Sequence, residues 1–146
     1  MSTGANKAIA RRFREELFNT GKTEICDQIC DNQAVIRGHD PLTPDYGAGP
    51  QAFKQVVSMY RTAFPDANCT VDETVAEGDK VVTRWTARGT NLGPLGNSAP
   101  TGRKVLVTGV DILKIVKGKI VECDMVWDAA GMLQQLDLAR SLLASA

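Results

Sequence analysis

Ile9, Phe13 and Leu17 recur every four residues, with Arg11, Arg12, Arg14 and Glu15 between them, and Gly21 follows shortly after. That spacing predicts an amphipathic first helix that stops at the glycine. Thr23 is placed to cap a short second helix from Glu24 to about Cys30, and Ala34-Val35-Ile36-Arg37 then reads as a brief extended segment. A loop carrying His39, Pro41, Pro44, Gly47 and Gly49 comes next. Pro50 suits the first turn of a third helix, whose Phe53, Val56, Val57, Tyr60 and Phe64 keep helical spacing until Pro65 ends it.

Beyond Pro65 the period shortens from helical to alternating. Strands are expected at about 67–76, 80–90, 103–116 and 119–127, joined by turns at Glu77-Gly78-Asp79 and Lys117-Gly118. Residues 91–102 are too rich in Gly and Pro for a regular element and form a long loop. A last helix follows, with Asp128 as its cap and Met132, Leu133, Leu136 and Leu143 among its apolar residues. Helices first and strands later, without regular alternation, predict an α+β domain with a mainly antiparallel sheet, spanning residues 1–146 as a single unit.

Composition narrows the function. The chain balances 17 Lys plus Arg against 17 Asp plus Glu, interspersed along its length, so there is no electrostatic reason to expect nucleic acid or anionic lipid as a partner. No apolar run approaches a membrane span, and the opening MSTGANKAIARRF lacks the apolar stretch of a secretory signal; a cytoplasmic protein is expected. Cys26, Cys30, Cys69 and Cys123 are too few and too unevenly spaced for a disulfide framework. His39 is the sole histidine, so no metal centre is expected.

Nucleotide-binding glycine motifs, a nucleophile elbow and a zinc-protease helix motif are all absent, which leaves carboxylate chemistry. Asp111 shares strand parity with Val105, Val107, Leu113 and Ile115, so an acid is aimed at an apolar interior. A two-residue turn at Lys117-Gly118 with unbroken alternation would set Asp124 directly opposite it. Burial and a like-charge neighbour would then raise the pKa of one of the two and poise it to move a proton. Alternatively, a shift of register separates them and both reach solvent. His39 could donate to a substrate oxygen from its loop or simply face water. Trp85, with Val81, Thr83 and Ala87 on one strand face, reads as core or pocket wall. Tyr60 and Phe64 read first as core, and Met125 and Trp127 as pocket lining or core.

Several segments together carry a family resemblance: EGDKVVTRWTARGT over 77–90, PTGRKV over 100–105, GKIVE over 118–122 and DAAGMLQQL over 128–136. With His39-Asp40-Pro41 and Phe64-Pro65-Asp66, the chain resembles the SnoaL-like polyketide cyclase family over nearly its whole length. The resemblance implies a cone-shaped α+β barrel of the nuclear transport factor 2-like kind, a curved sheet wrapped around a long N-terminal helix and enclosing an apolar pocket. It also implies a homodimer and a tailoring enzyme of aromatic polyketide, anthracycline-type biosynthesis. Family members close a ring by an intramolecular aldol reaction, using an aspartate as acid and base with neither metal nor organic cofactor.

Carried onto this chain, the family's aspartate falls at Met125 and a nearby histidine at Asp111, while Asn91 stands where relatives often carry histidine. Methionine cannot transfer a proton, which favours hydroxylation, implicated in other members, over aldol closure. A substrate anion would then reduce oxygen, with a reductase as a candidate partner. Epoxide opening, as in distant relatives, and non-catalytic small-molecule binding are the alternatives. Asp111 is the first catalytic candidate, then Asp124, Asp128 and His39; the pocket candidates are Trp85, Met125, Trp127, Tyr60, Phe64 and Asn91. The family mapping puts 111 and 125 in the pocket, whereas strict alternation puts Asp124 there; the two agree only if a bulge interrupts the hairpin.

Overall fold

The computed structural model describes residues 2–139; Leu143, expected in the last helix, lies outside them. The first helix, α1, is α-helical over Thr3–Arg11, π-helical over Arg12–Leu17 and closes with an α turn over Phe18–Thr20. Ser2 caps its start by accepting from the Ala5 N–H at 3.1 Å, and Gly21 ends it in the left-handed region at φ 70°. Its solvent side is laced by Arg11–Glu15 and Arg12–Glu16 pairs. Its inner side buries Ala10, Phe13, Leu17 and Phe18.

Helix α2 spans Ile25–Ile29, and Thr23 contributes only its backbone carbonyl to the turn before it, so the expected side-chain cap is not made. Helix α3, Pro50–Ala63, starts at its proline and buries Phe53, Val56 and Val57. Strands β1 to β5 cover Cys30–Gly38, Asn68–Glu77, Lys80–Thr90, Lys104–Val116 and Lys119–Trp127, and Asp128 caps α4, Ala129–Gln135, by accepting from the Gly131 N–H. No helix among the described residues is long and apolar enough to cross a membrane.

The sheet order is β1-β5-β4-β3-β2, antiparallel except for the parallel β1–β5 edge. That edge pairing explains why β1 is longer than the brief segment expected from composition. The sheet curls around α1 and α3, the α+β arrangement anticipated from the order of elements. One apolar cluster joins the inner faces of α1 and α3 to β4 and β5 through residues such as Phe13, Phe53 and Leu113. A second, with Trp85, Val107 and Leu133, closes the other end beneath α4.

The β4–β5 hairpin holds the feature that matters most for the site. Lys117 and Gly118 both have positive φ, 51° and 78°, as a two-residue primed turn requires. The pairs Val116–Lys119 and Ile115–Ile120 follow from that turn, but the register then shifts so that Lys114 faces Glu122. Val121 is the extra residue of this bulge. From there on Asp111 faces Met125 and Ile112 faces Asp124, so the expected Asp111–Asp124 pair does not form: a slip of one residue turns Asp124 to the outer face of the sheet.

Gly109 sits opposite Trp127 in β5 and Trp85 in β3. A Cβ there would overlap the six-membered ring of Trp85 and the Cβ of Trp127. Gly109→Ala is therefore expected to cost about 1–3 kcal/mol, read as a lower urea midpoint. An unchanged midpoint would mean that the two indoles do not pack over this glycine.

Candidate active site

Arg14 sits on the buried stripe of α1, four residues after Ala10 and four before Phe18, inside the π-helical turn. It is 3% exposed, and Asp111, on the inner face of β4, is fully buried. Arg14 Nε donates to Asp111 Oδ2 at 2.8 Å and Nη2 to Oδ1 at 2.6 Å, a two-pronged pair; Thr83 Oγ1 adds a longer bond of 3.4 Å to Oδ2. The guanidinium carbon lies 3.9 Å from the Trp85 ring centre and 4.2 Å from that of Phe18. Burial works against the charge on Arg14, but Asp111 outweighs it and holds the pKa above the usual guanidinium value. The neighbour of Asp111 is thus a cation, and the repulsion expected from Asp124 is absent.

A cavity opens at the seam between the two apolar clusters. Arg14, Trp85, Tyr60, Met125 and Trp127 are among the residues lining it, as are Phe64 and Cys69. Its volume is about 70 Å³, room for several waters. Trp85 is 4% exposed, and its Nε1 finds no hydrogen-bond partner among the described residues. A buried donor without a partner is costly. Burial raises the pKa of the Cys69 thiol, which disfavours a thiolate nucleophile there.

The four candidate acids and bases are not brought together. Asp111 stands behind Arg14 rather than in the cavity wall. Asp124 and His39 do meet, with Oδ1 and Nε2 2.8 Å apart, but on the outer face of the sheet, where Arg37 joins them at 3.2 Å. Asp128 is occupied as the α4 cap. Asn91 is fully buried but stands outside the cavity wall. Its side chain donates to the carbonyls of Ala63 and Gly93 and accepts from Thr101, pinning both ends of the long loop. Among the described residues no group of three His, Cys, Asp or Glu side chains is arranged to hold a metal.

Sequence reasoning missed two features. Arg14 stands in sequence among polar neighbours, and its spacing from Ala10 and Phe18 is the one signal of its burial. The second is a network at the cavity edge, where Asp40 accepts from Thr43 Oγ1 and from Trp127 Nε1 at 2.9 Å each, and Thr43 in turn meets the Tyr60 hydroxyl. The adjacent His39-Asp40-Pro41 motif marked the place but not the partners.

A curled sheet wrapped on a long helix, with an apolar cavity at one end of its inner face, defines an α+β barrel of the nuclear transport factor 2-like kind. The chain belongs to the SnoaL-like polyketide cyclase family, whose profile matches residues 8–136. Nogalonic acid methyl ester cyclase of Streptomyces nogalater is 30% identical over 122 residues, 82% of this chain and 88% of that one. The structure of IdmH of Streptomyces antibioticus, described as a candidate polyketide cyclase, is 30% identical, with a TM-score of 0.73 over 91% of this chain and 98% of that one. AclR of Streptomyces galilaeus, described as a candidate hydroxylase, superposes with a TM-score of 0.79 at 24% identity over 93% and 98% of the two chains and shares the fold.

The outer cluster makes a pH-dependent contribution. Burial opposes the charge on Asp124, but hydrogen bonds from His39 and Arg37 prevail and hold its pKa below the usual carboxylate value. Stability from such a group is present above its unfolded pKa of about 3.9 and is lost as pH falls through the lower folded value. His39 and Arg37 are about half exposed, so the contribution is screened to at most about 1 kcal/mol. Asp124→Asn should lower unfolding free energy by that much at neutral pH, and the difference from wild type should vanish under acid. A difference that grows toward low pH would contradict the assignment.

Proposed function

We propose that the chain is a cofactor-independent tailoring enzyme for a flat, oxygenated substrate of the aromatic polyketide type, and that it works by stabilising a substrate enolate. The observation that carries this is the cavity wall: Arg14, a buried cation, lies against Trp85, whose indole N–H is unpartnered among the described residues. Both groups complement a developing oxyanion, and in an apolar site each is worth far more than in water. Asp111 is a positioning residue in this scheme, holding the guanidinium plane by two hydrogen bonds. Met125 and Met132 supply walls that can yield to a ring system.

Ring closure is the favoured outcome. A proton passes from the carbon between carbonyls to solvent water, the enolate carbon attacks a ketone carbon within the same molecule, and the new alkoxide takes a proton back from solvent. The product is an isomer of the substrate. The names of the two relatives at 30% identity support this choice. Hydroxylation is the second reading, favoured by Met125 facing Asp111, because no proton carrier then stands across from that residue. There the enolate would be oxidised by dioxygen, one oxygen atom entering the ring and the other leaving as water with two electrons from a reductase. The same proposal includes a cytoplasmic homodimer, with the exposed Leu106, Val116 and Val126 on the outer face of β4 and β5 offering an apolar strip for a second copy.

The test is to incubate the protein with nogalonic acid methyl ester and a two-electron reductant, in air and under nitrogen, and follow products by mass spectrometry. Ring closure gives an isomer in both atmospheres; hydroxylation adds one oxygen atom, and only in air. Trp85→Phe, which keeps an aromatic ring and removes the N–H, should reduce kcat by about 10²-fold. Turnover at the wild-type rate in that variant, or no reaction of the wild type, would contradict the proposal.

A further inference from the structure

The network at the cavity edge fixes the direction of a hydrogen bond made by a tyrosine that lines the cavity. Tyr60 lines the cavity, and its hydroxyl meets Thr43 Oγ1. Thr43 Oγ1 also lies 3.1 and 2.9 Å from the two Asp40 oxygens. A threonine hydroxyl carries one proton, and a carboxylate offers only lone pairs. The Thr43 proton is therefore committed to Asp40, and Thr43 can meet Tyr60 only as an acceptor. The Tyr60 proton points at Thr43, and what the phenol oxygen has left for a ligand is a lone pair.

This polarity is fixed from behind. Asp40 also accepts from the backbone N–H groups of Leu42 and Thr43, 2.8 Å each, and from Trp127 Nε1. Trp127 in turn packs edge-on against the Tyr60 ring. Burial, and then the Asp40 charge, push the Tyr60 pKa up, so the phenol keeps its proton at neutral pH. Trp85 has the converse character: its buried Nε1 lacks a partner among the described residues and can only donate.

We infer, building on the substrate class proposed above, that the cavity selects by hydrogen-bond polarity: it takes a ring compound with a free hydroxyl for Tyr60 Oη and a carbonyl or enolate oxygen for Trp85 Nε1. A methyl ether or a second carbonyl at Tyr60 sets lone pair against lone pair and is rejected. The discriminating residue is Tyr60, and Thr43 positions its proton.

Calorimetric binding of three probes tests this without requiring turnover. They are anthraquinone, the monohydroxyanthraquinone whose hydroxyl is too far from the carbonyls to bond internally, and the methyl ether of that compound. Wild type should prefer the hydroxy compound to both others by roughly 10-fold. Tyr60→Phe should abolish the preference. Thr43→Val frees the Tyr60 proton and should shrink or reverse it. Trp85→Phe should weaken all three probes by a similar factor and leave the preference in place. Equal binding of the three by wild type, a preference that survives Tyr60→Phe, or unchanged affinities in Trp85→Phe would overturn the inference while the flat-ring substrate class stands. Failure of wild type to bind any of the three would overturn that class and the inference with it.

Discussion

The pairing of Arg14 with Asp111 is the constraint on which the arrangement turns. Neither charge could be placed in an apolar interior alone, since an unpaired buried ion costs several kcal/mol. Together they join the π-helical turn of α1 to the inner face of β4, and Thr83 ties in β3. The guanidinium then becomes a fixed plane on which Trp85 and Phe18 stack. A cation is thereby held in the wall of a cavity that is otherwise mostly apolar, with its counter-ion tucked behind it. Buried pairs of this sort contribute little net stability compared with well-packed apolar groups. The function assigned to this one is position rather than strength.

The cavity exists because two apolar clusters meet without merging. One is built on α1 and α3, the other under α4, and residues of both face the gap. Gly109 keeps the strand low enough for Trp85 to lie across it. The bulge at Val121 brings Met125 rather than Asp124 to the cavity side, so the side chain facing Asp111 is neutral and polarisable. The same slip sends Asp124 outward to Arg37 and His39, where it serves an edge of the sheet.

Much of this was legible along the chain. Strands β3 and β5 end where alternation and turn residues end them, because those signals are local. The parity of Asp111 was legible for the same reason. Its partner was not: an inserted residue such as Val121 has no marker of its own, and a single slip exchanges the two faces beyond it. The hairpin turn is marked by Lys117-Gly118, yet the register it sets holds for only two pairs. Arg14 escaped because an arginine beside Arg11 and Arg12 reads as solvated, and a π turn has no compositional sign. The Tyr60–Thr43–Asp40 connection depends on how a proline-rich loop folds back, which neither periodicity nor spacing encodes.

The central claim is that Arg14 and Asp111 act as one unit, and a double-mutant cycle in unfolding free energy measures that directly. Arg14→Met and Asp111→Leu should each cost about 3–5 kcal/mol, because each strands the other charge in the interior. The double variant, which removes both charges and keeps apolar volume, should be more stable than either single variant, giving a large coupling energy. Losses that simply add would mean that the two residues are not coupled, and the account of the site built on them would fall.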